Sequence, residues 1–136
     1  MSLDQVLQWH YEAPYDFYDP AADPFDHPER LLYVCGADAR VDAFWEFTVD
    51  GDVVEIGIGL RPDLVGRGLG EAHLRAQLEY ARGRWQPQTF RLYVASWNER
   101  AIRLYERLGF REVGERHVRS FERFGDHEFM RMERPA

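Results

Sequence analysis

The run Val53-Val54-Glu55-Ile56-Gly57-Ile58-Gly59-Leu60-Arg61-Pro62-Asp63-Leu64-Val65-Gly66-Arg67-Gly68-Leu69-Gly70 changes character twice within one stretch of chain. Val53 to Leu60 is β-branched and apolar and reads as a strand. Pro62 and the glycines interrupt it. Leu74, Leu78 and Ala81 then recur at helical spacing as far as Gly83, which predicts a helix over Leu69 to Arg82. A junction of this kind aims unpaired backbone N–H groups and the positive end of the helix dipole at an anion, and glycine lets the backbone approach phosphate oxygens closely. Two nucleotide-binding designs fail here. There is no Gly-Lys-Ser/Thr of a P-loop, and no GxGxxG followed about 20 residues later by an acidic ribose ligand. A glycine-rich turn with no ligand stays open as the structural alternative.

Upstream, Leu31 to Cys35 is a short apolar run stopped at Gly36, and Val41 to Val49 alternates Ala43, Trp45 and Phe47 against Asp42, Glu46 and Thr48. Both read as strands. Asp50-Gly51 signals a two-residue type I′ hairpin, which pairs Trp45 with Ile56 and Glu46 with Glu55. Residues 1–28 read as an irregular arm, because Pro14, Pro20, Pro24 and Pro28 break helices among Tyr15, Phe17, Tyr18 and Phe25.

Downstream, Thr89 to Ala95 alternates as a strand. Asn98 is a good N-cap for a helix whose Ala101, Leu104, Tyr105 and Leu108 form an i, i+3, i+4, i+7 stripe ending at Gly109. Phe110 to His117 and Glu128 to Glu133 read as two last strands, with Phe124-Gly125-Asp126 near their turn. The pattern is a mixed α/β sheet with two helices, no repeat and no linker.

A chain of 136 residues, 45% hydrophobic, fits one domain with a single packed core over 1–136. A net charge of -7 repels a phosphate backbone and argues against general nucleic-acid binding. Cys35 is the only cysteine, which excludes an internal disulfide and a cysteine zinc site and agrees with a reducing compartment, so the cytoplasm is expected. No run approaches the ~20 apolar residues of a membrane span. His73, His117 and His127 lack metal-ligand spacing, and no metal is expected.

The two segments together, the glycine loop and Val94 to Phe110, resemble the GCN5-related N-acetyltransferases (GNAT). The first motif of that family is a strand, a (Gln/Arg)xxGx(Gly/Ala) loop and a helix, and the second is strand, Asn, Ala, Tyr, Gly-Phe. Gly68, Gly70, Asn98, Ala101, Tyr105, Gly109 and Phe110 match, and the resemblance is clearest from Glu55 to Glu112. It implies an α+β fold: a mixed, mostly antiparallel twisted sheet of about six to seven strands with helices packed on its faces. It also implies transfer of an acetyl group from acetyl-CoA, the co-substrate, to an amine. The usual Gln or Arg of the loop motif is Val65 here, so the pyrophosphate would rest on backbone N–H groups of Val65, Gly66, Arg67, Gly68, Leu69 and Gly70. Arg67 is a candidate to replace the lost side-chain contact, and a solvated Arg is the alternative.

Such chemistry needs a neutral amine, a stabilised oxyanion and a proton for the departing thiolate. The resemblance assigns the acid to Tyr105, whose phenol keeps its proton up to a pH of ~10. It gives the oxyanion to the Leu60 N–H and the pantetheine contact to Asn98 with Ala101. Glu55 is the candidate base: it shares a strand face with Gly57 and Gly59, small residues that leave room for a ligand or another backbone. A facing Glu46 would raise one carboxyl pKa; water relaying the proton is the other route. Asp16, Asp19, Asp23 and Asp26 suggest a wall attracting a cationic acceptor. A non-catalytic acyl-CoA-binding regulatory module is the competing class. The aromatic arm and the two late strands would suit a homodimer.

Overall fold

The computed structural model describes residues 2–9, 31–36, 40–121 and 124–136. The elements in chain order are α1 (Ser2–Leu7), β1 (Leu31–Cys35), β2 (Val41–Asp50), β3 (Val53–Leu60), a 3-10 turn (Pro62–Leu64), α2 (Leu69–Trp85), β4 (Thr89–Ala95), α3 (Glu99–Arg107), β5 (Arg111–Phe121) and β6 (Gly125–Pro135). The strands form one six-stranded sheet in the order β1-β2-β3-β4-β6-β5. Every neighbouring pair is antiparallel except β3 and β4, which are parallel. This is the α+β, mostly antiparallel arrangement expected.

Alternation along the strands divides the sheet into two faces. Val54, Ile56, Phe90 and Met132 point to the face where α2 lays Leu74 and Leu78, and all of these are buried. Full burial of each Leu or Phe is worth about 1.5–3 kcal/mol. The short α3 joins this core through Ala101, Leu104 and Tyr105. Its C-terminus closes on Gly109 at φ 94°, with the Gly109 N–H donating to Glu106 O (3.1 Å) and the Phe110 N–H to Tyr105 O (3.0 Å). That is a Schellman motif, and the Tyr105 and Phe110 rings pack 6.1 Å apart across it. On the other face α1 packs Val6, while Trp9 just beyond it stands 6.0 Å from the Phe44 ring.

Four expectations change. The hairpin loop is Gly51-Asp52, because Asp50 lies opposite Val53, so Trp45 faces Ile58, Glu46 faces Gly57 and Thr48 faces Glu55. Gly51 has φ 61° and Asp52 no positive φ, the pattern of a type II′ turn, which needs left-handed backbone at its first position alone. Second, α2 runs through Gly83 to Trp85 and stops at a left-handed Gln86. A helical Gly costs about 1 kcal/mol, and Trp85 offsets it by packing against Phe47 at 5.0 Å. Third, Ser2–Leu7 is helical rather than irregular. A helix this short shows no readable period and depends on packing. The acidic and aromatic part of the arm, 11–28, lies outside the described residues. Fourth, β5 and β6 extend beyond the expected ends, and β5 carries a register shift between Val113 and His117 around a left-handed Gly114.

Candidate functional site

β3 and β4 share a ladder over three residue pairs only, Val53–Thr89, Val54–Phe90 and Glu55–Arg91. Past Glu55 the two strands have no recorded pairing, so the sheet opens towards their C-terminal ends. At this end of β3 the Arg61 N–H donates to Asp42 O on β2 at 2.7 Å. Successive N–H groups of a strand point to opposite edges, so the Leu60 N–H is aimed away from β2 and towards the opening.

The chain then turns through the 3-10 segment. The Leu64 N–H donates to Arg61 O (2.8 Å) and the Val65 N–H to Pro62 O (3.3 Å). Val65 therefore spends its donor on the turn, and the expected cradle loses that member. From Gly66 to Gly70 no N–H makes a close backbone hydrogen bond outside the helix among the described residues, and the first donors of α2 have none within their own helix. The N-cap Gly68, at φ 74°, offers no capping side chain. Five consecutive donors thus stand at the positive end of a 17-residue helix.

The three glycines serve different ends. Gly66 and Gly68 take left-handed backbone and a Cβ there would meet nothing within 4 Å, whereas a Cβ on Gly70 would sit 3.2 Å from Leu104 Cδ2. Gly70 lets α3 approach α2. Arg61 anchors the loop, with Nη1 3.2 Å from Asp42 Oδ1 and Nε 2.6 Å from Asp63 Oδ1. The hydrogen bond from Arg61 holds the Asp63 carboxyl below its ordinary range. His73, one turn into α2, is pushed down by burial, with Asp42 partly opposing. It is a half-buried packing residue. Arg67 is exposed.

Asn98 is buried and its Oδ1 accepts from the Ala101 N–H at 3.2 Å, so it caps α3 as expected and commits the Ala101 donor to that cap. Tyr105 is half-buried against the core. Tyr105 shares that core with Leu74 and Leu78 of α2.

The opposite face holds Glu55, and Arg91 donates to it at 3.1 Å, with Asp50 3.6 Å from the same guanidinium. The facing pair of carboxylates is absent, since Thr48 takes that position and Glu46 lies diagonally away. Nor do Gly57 and Gly59 leave open room: a Cβ on Gly57 would stand 3.4 Å from Glu46 Oε2, and one on Gly59 would run into the Phe44 ring. Sequence reasoning missed two residues. Arg91 is recruited across a parallel pairing that no local pattern displays. Gln77 has 0% exposure and donates to Gly57 O (2.9 Å) and Glu46 O (3.4 Å), tying α2 to β2 and β3. It was legible as the one polar residue in the Leu74, Gln77, Leu78, Ala81 stripe.

Among the described residues no helix is long and apolar enough to cross a membrane, and no group of three or more His, Cys, Asp or Glu could hold a metal ion. Mycothiol acetyltransferase of Clavibacter michiganensis subsp. michiganensis is 37% identical over 99 residues, 72% of this chain and 32% of its own length. That of Nocardiopsis dassonvillei is 35% identical over 120 residues, 81% of this chain and 33% of its own. The chain thus spans about a third of the length of these relatives. Among solved structures, the ribosomal-protein-S18-alanine N-acetyltransferase of Escherichia coli superposes with a TM-score of 0.71 at 26% identity, covering 98% of this chain and 85% of that one. A chimera of the Vibrio cholerae spermidine N-acetyltransferase SpeG with hSSAT gives 0.71 at 21% identity, covering 98% and 88%, a likeness of fold. Residues 2–110 match the profile described as the acetyltransferase (GNAT) family, and with the opened sheet and the glycine loop at the head of α2 this chain belongs to that family.

Proposed function

We propose that the chain is an N-acyltransferase that moves an acetyl group from acetyl-CoA to a primary amine of a small molecule or peptide by direct attack on the thioester. The observation that carries this is the run of backbone donors from Gly66 to Gly70 at the head of α2, beside the edge where β3 leaves β4. Those donors fit a pyrophosphate and need no particular side chain, which accommodates Val65. Acetyl-CoA supplies the activated acyl group. The Leu60 N–H stabilises the charge that develops on its carbonyl oxygen. Tyr105 donates a proton to the departing sulfur, while Asn98 holds the head of α3 and offers its amide to the pantetheine arm. Glu55 accepts the amine proton, directly or through water, and Arg91 orients it.

The acceptor's identity is open. The names of the relatives point to mycothiol, spermidine and a ribosomal-protein alanine, and a net charge of -7 favours a cationic amine. The same reading takes residues 1–136 as one N-acetyltransferase domain, cytoplasmic, that forms a homodimer through the edge strand β5. The Arg91–Glu55 bond favours a second reading, a regulatory module that binds acyl-CoA without turnover, because the base candidate already has a partner. Thiol release from acetyl-CoA across an amine and peptide panel decides between them. Acceptor-dependent release supports the enzyme; stabilisation by CoA with no release from any acceptor supports the module.

A further inference from the structure

A second concentration of charge lies away from the glycine loop. The flank of α2, Leu108 after α3 and the end of β6 border a depression of about 410 Å³, and its lining includes Arg75, Arg82 and Arg134, with Glu79 its one carboxylate. Arg134 is fixed there by two backbone carbonyls: Nη1 donates to Leu108 O at 2.6 Å and Nε to Pro135 O at 2.9 Å. Neither partner carries a net charge. Arg82 stands 3.4 Å from Glu79, whose side chain is 81% exposed, and Arg75 stands 3.9 Å from Glu71. Against three guanidinium groups Glu79 supplies one carboxylate, so the lining keeps a net positive charge. Burial, then Arg82 and Arg75, hold Arg134 below the usual guanidinium range.

Three guanidinium groups against one lining carboxylate make this depression locally cationic on a chain whose net charge is -7. Planar forks of N–H donors match tetrahedral oxyanions bidentately. The place also differs from the loop. At 1.5 Å rise per residue, Arg75 lies roughly 10 Å and Arg82 roughly 20 Å along α2 from Gly68. We infer that the depression bounded by Arg75, Arg82 and Arg134 is a binding site for a phosphate-type dianion, separate from the Gly66–Gly70 donors. The glycine loop holds phosphate by backbone groups at a helix end; this site holds it by side chains along the helix flank.

The occupant can be a free phosphate or phosphomonoester, or the 3′-phosphate of coenzyme A itself. Calorimetric titration of the full chain with inorganic phosphate, with and without saturating CoA, separates these. The Arg75→Gln/Arg82→Gln variant keeps the side-chain stems and leaves Arg134 on its carbonyls, and it should weaken phosphate binding about tenfold or more, the worth of one lost charge-assisted hydrogen bond. Arg103→Gln, an exposed change on α3, should leave binding unaltered. Phosphate binding that persists under saturating CoA identifies the free anion. Binding abolished by CoA, together with a preference for CoA over dephospho-CoA that the double variant loses, identifies the 3′-phosphate. Phosphate affinity equal in wild type and double variant, or no binding at millimolar phosphate, overturns the site. The phosphate arm decides this even where CoA fails to bind, so the two readings fail separately.

Discussion

The glycine loop and the Glu55–Arg91 pair begin on the same strand and are built on opposite principles. The loop is contiguous chain: a strand end, a 3-10 turn and a helix start, presenting main-chain N–H groups. The pair joins side chains 36 residues apart across the one parallel ladder of the sheet. A site made of backbone tolerates side-chain change, and on the proposed reading Val65 in place of a Gln or Arg is such a change. A site made of two side chains does not. Substitutions on the Glu55 side should therefore act on chemistry, and substitutions in the loop on binding.

The largest effect is expected from Glu55→Gln. General-base catalysis contributes about 10²–10⁴-fold, so kcat should fall by that order and the acid limb of the pH–rate profile should vanish, with the KM for acetyl-CoA little changed. An unchanged limb with a lowered melting temperature would reduce Glu55 to a clamp that holds β3 to β4 below the opening, and Glu46 or water would inherit the proton. Next comes the loop. Gly68→Ala meets no atom within 4 Å, so its cost is the left-handed backbone alone, about 1–2 kcal/mol, or roughly five- to thirtyfold in CoA affinity if the strain falls on the bound loop. Gly70→Ala should cost less, because Leu104 can move by a few tenths of an ångström. If Gly70→Ala proves the more damaging to CoA binding, helix spacing rather than loop conformation governs the donor site.

The same division explains what could be read from the sequence. The loop, the Asn98 cap and the Gly109 stop are local: each is written in a few adjacent residues whose conformational preferences agree with their place in the fold. The sheet's six strands followed from alternation and turn residues. Facing relations did not. One residue of displacement at the Gly51-Asp52 turn replaced a Glu46–Glu55 pair with Thr48–Glu55, and Gly57 and Gly59, read as open space, lie under Glu46 and Phe44. Arg91 reaches Glu55 only because β4 returns beside β3 after all of α2 has intervened. α1 was missed because six residues are too few to show a period.

Asn98 belongs to both regions, since it is local in origin and lies where the opening meets α3. Asn98→Ala removes the acceptor of the Ala101 N–H and should cost about 0.5–2 kcal/mol of stability by denaturant unfolding. Asn98→Asp keeps that cap while removing the amide donor. Normal stability with weaker CoA binding in Asn98→Asp would assign the amide to the cofactor; normal behaviour in both respects would confine Asn98 to capping.

The smallest expected effect concerns His73, which links the loop to β2 through its surroundings. Burial holds its pKa below the ordinary 6.5, and Asp42 only partly restores it. The folded state thus binds this proton less readily than the unfolded chain. Stability is therefore fully present above about pH 6.5 and declines as pH falls from there through the folded pKa. Asp63, depressed through Arg61, acts in the same sense but only at pH values below 3.8, so the two fall in separate windows. Melting temperature measured between neutrality and mild acid should fall in the wild type and fall less in His73→Gln. Equal slopes would show that His73 titrates freely. A reduced slope accompanied by pH-independent CoA affinity would show that the α2–β2 contact can loosen without disturbing the Gly66–Gly70 donors, which is the independence of the backbone-built site carried to its limit.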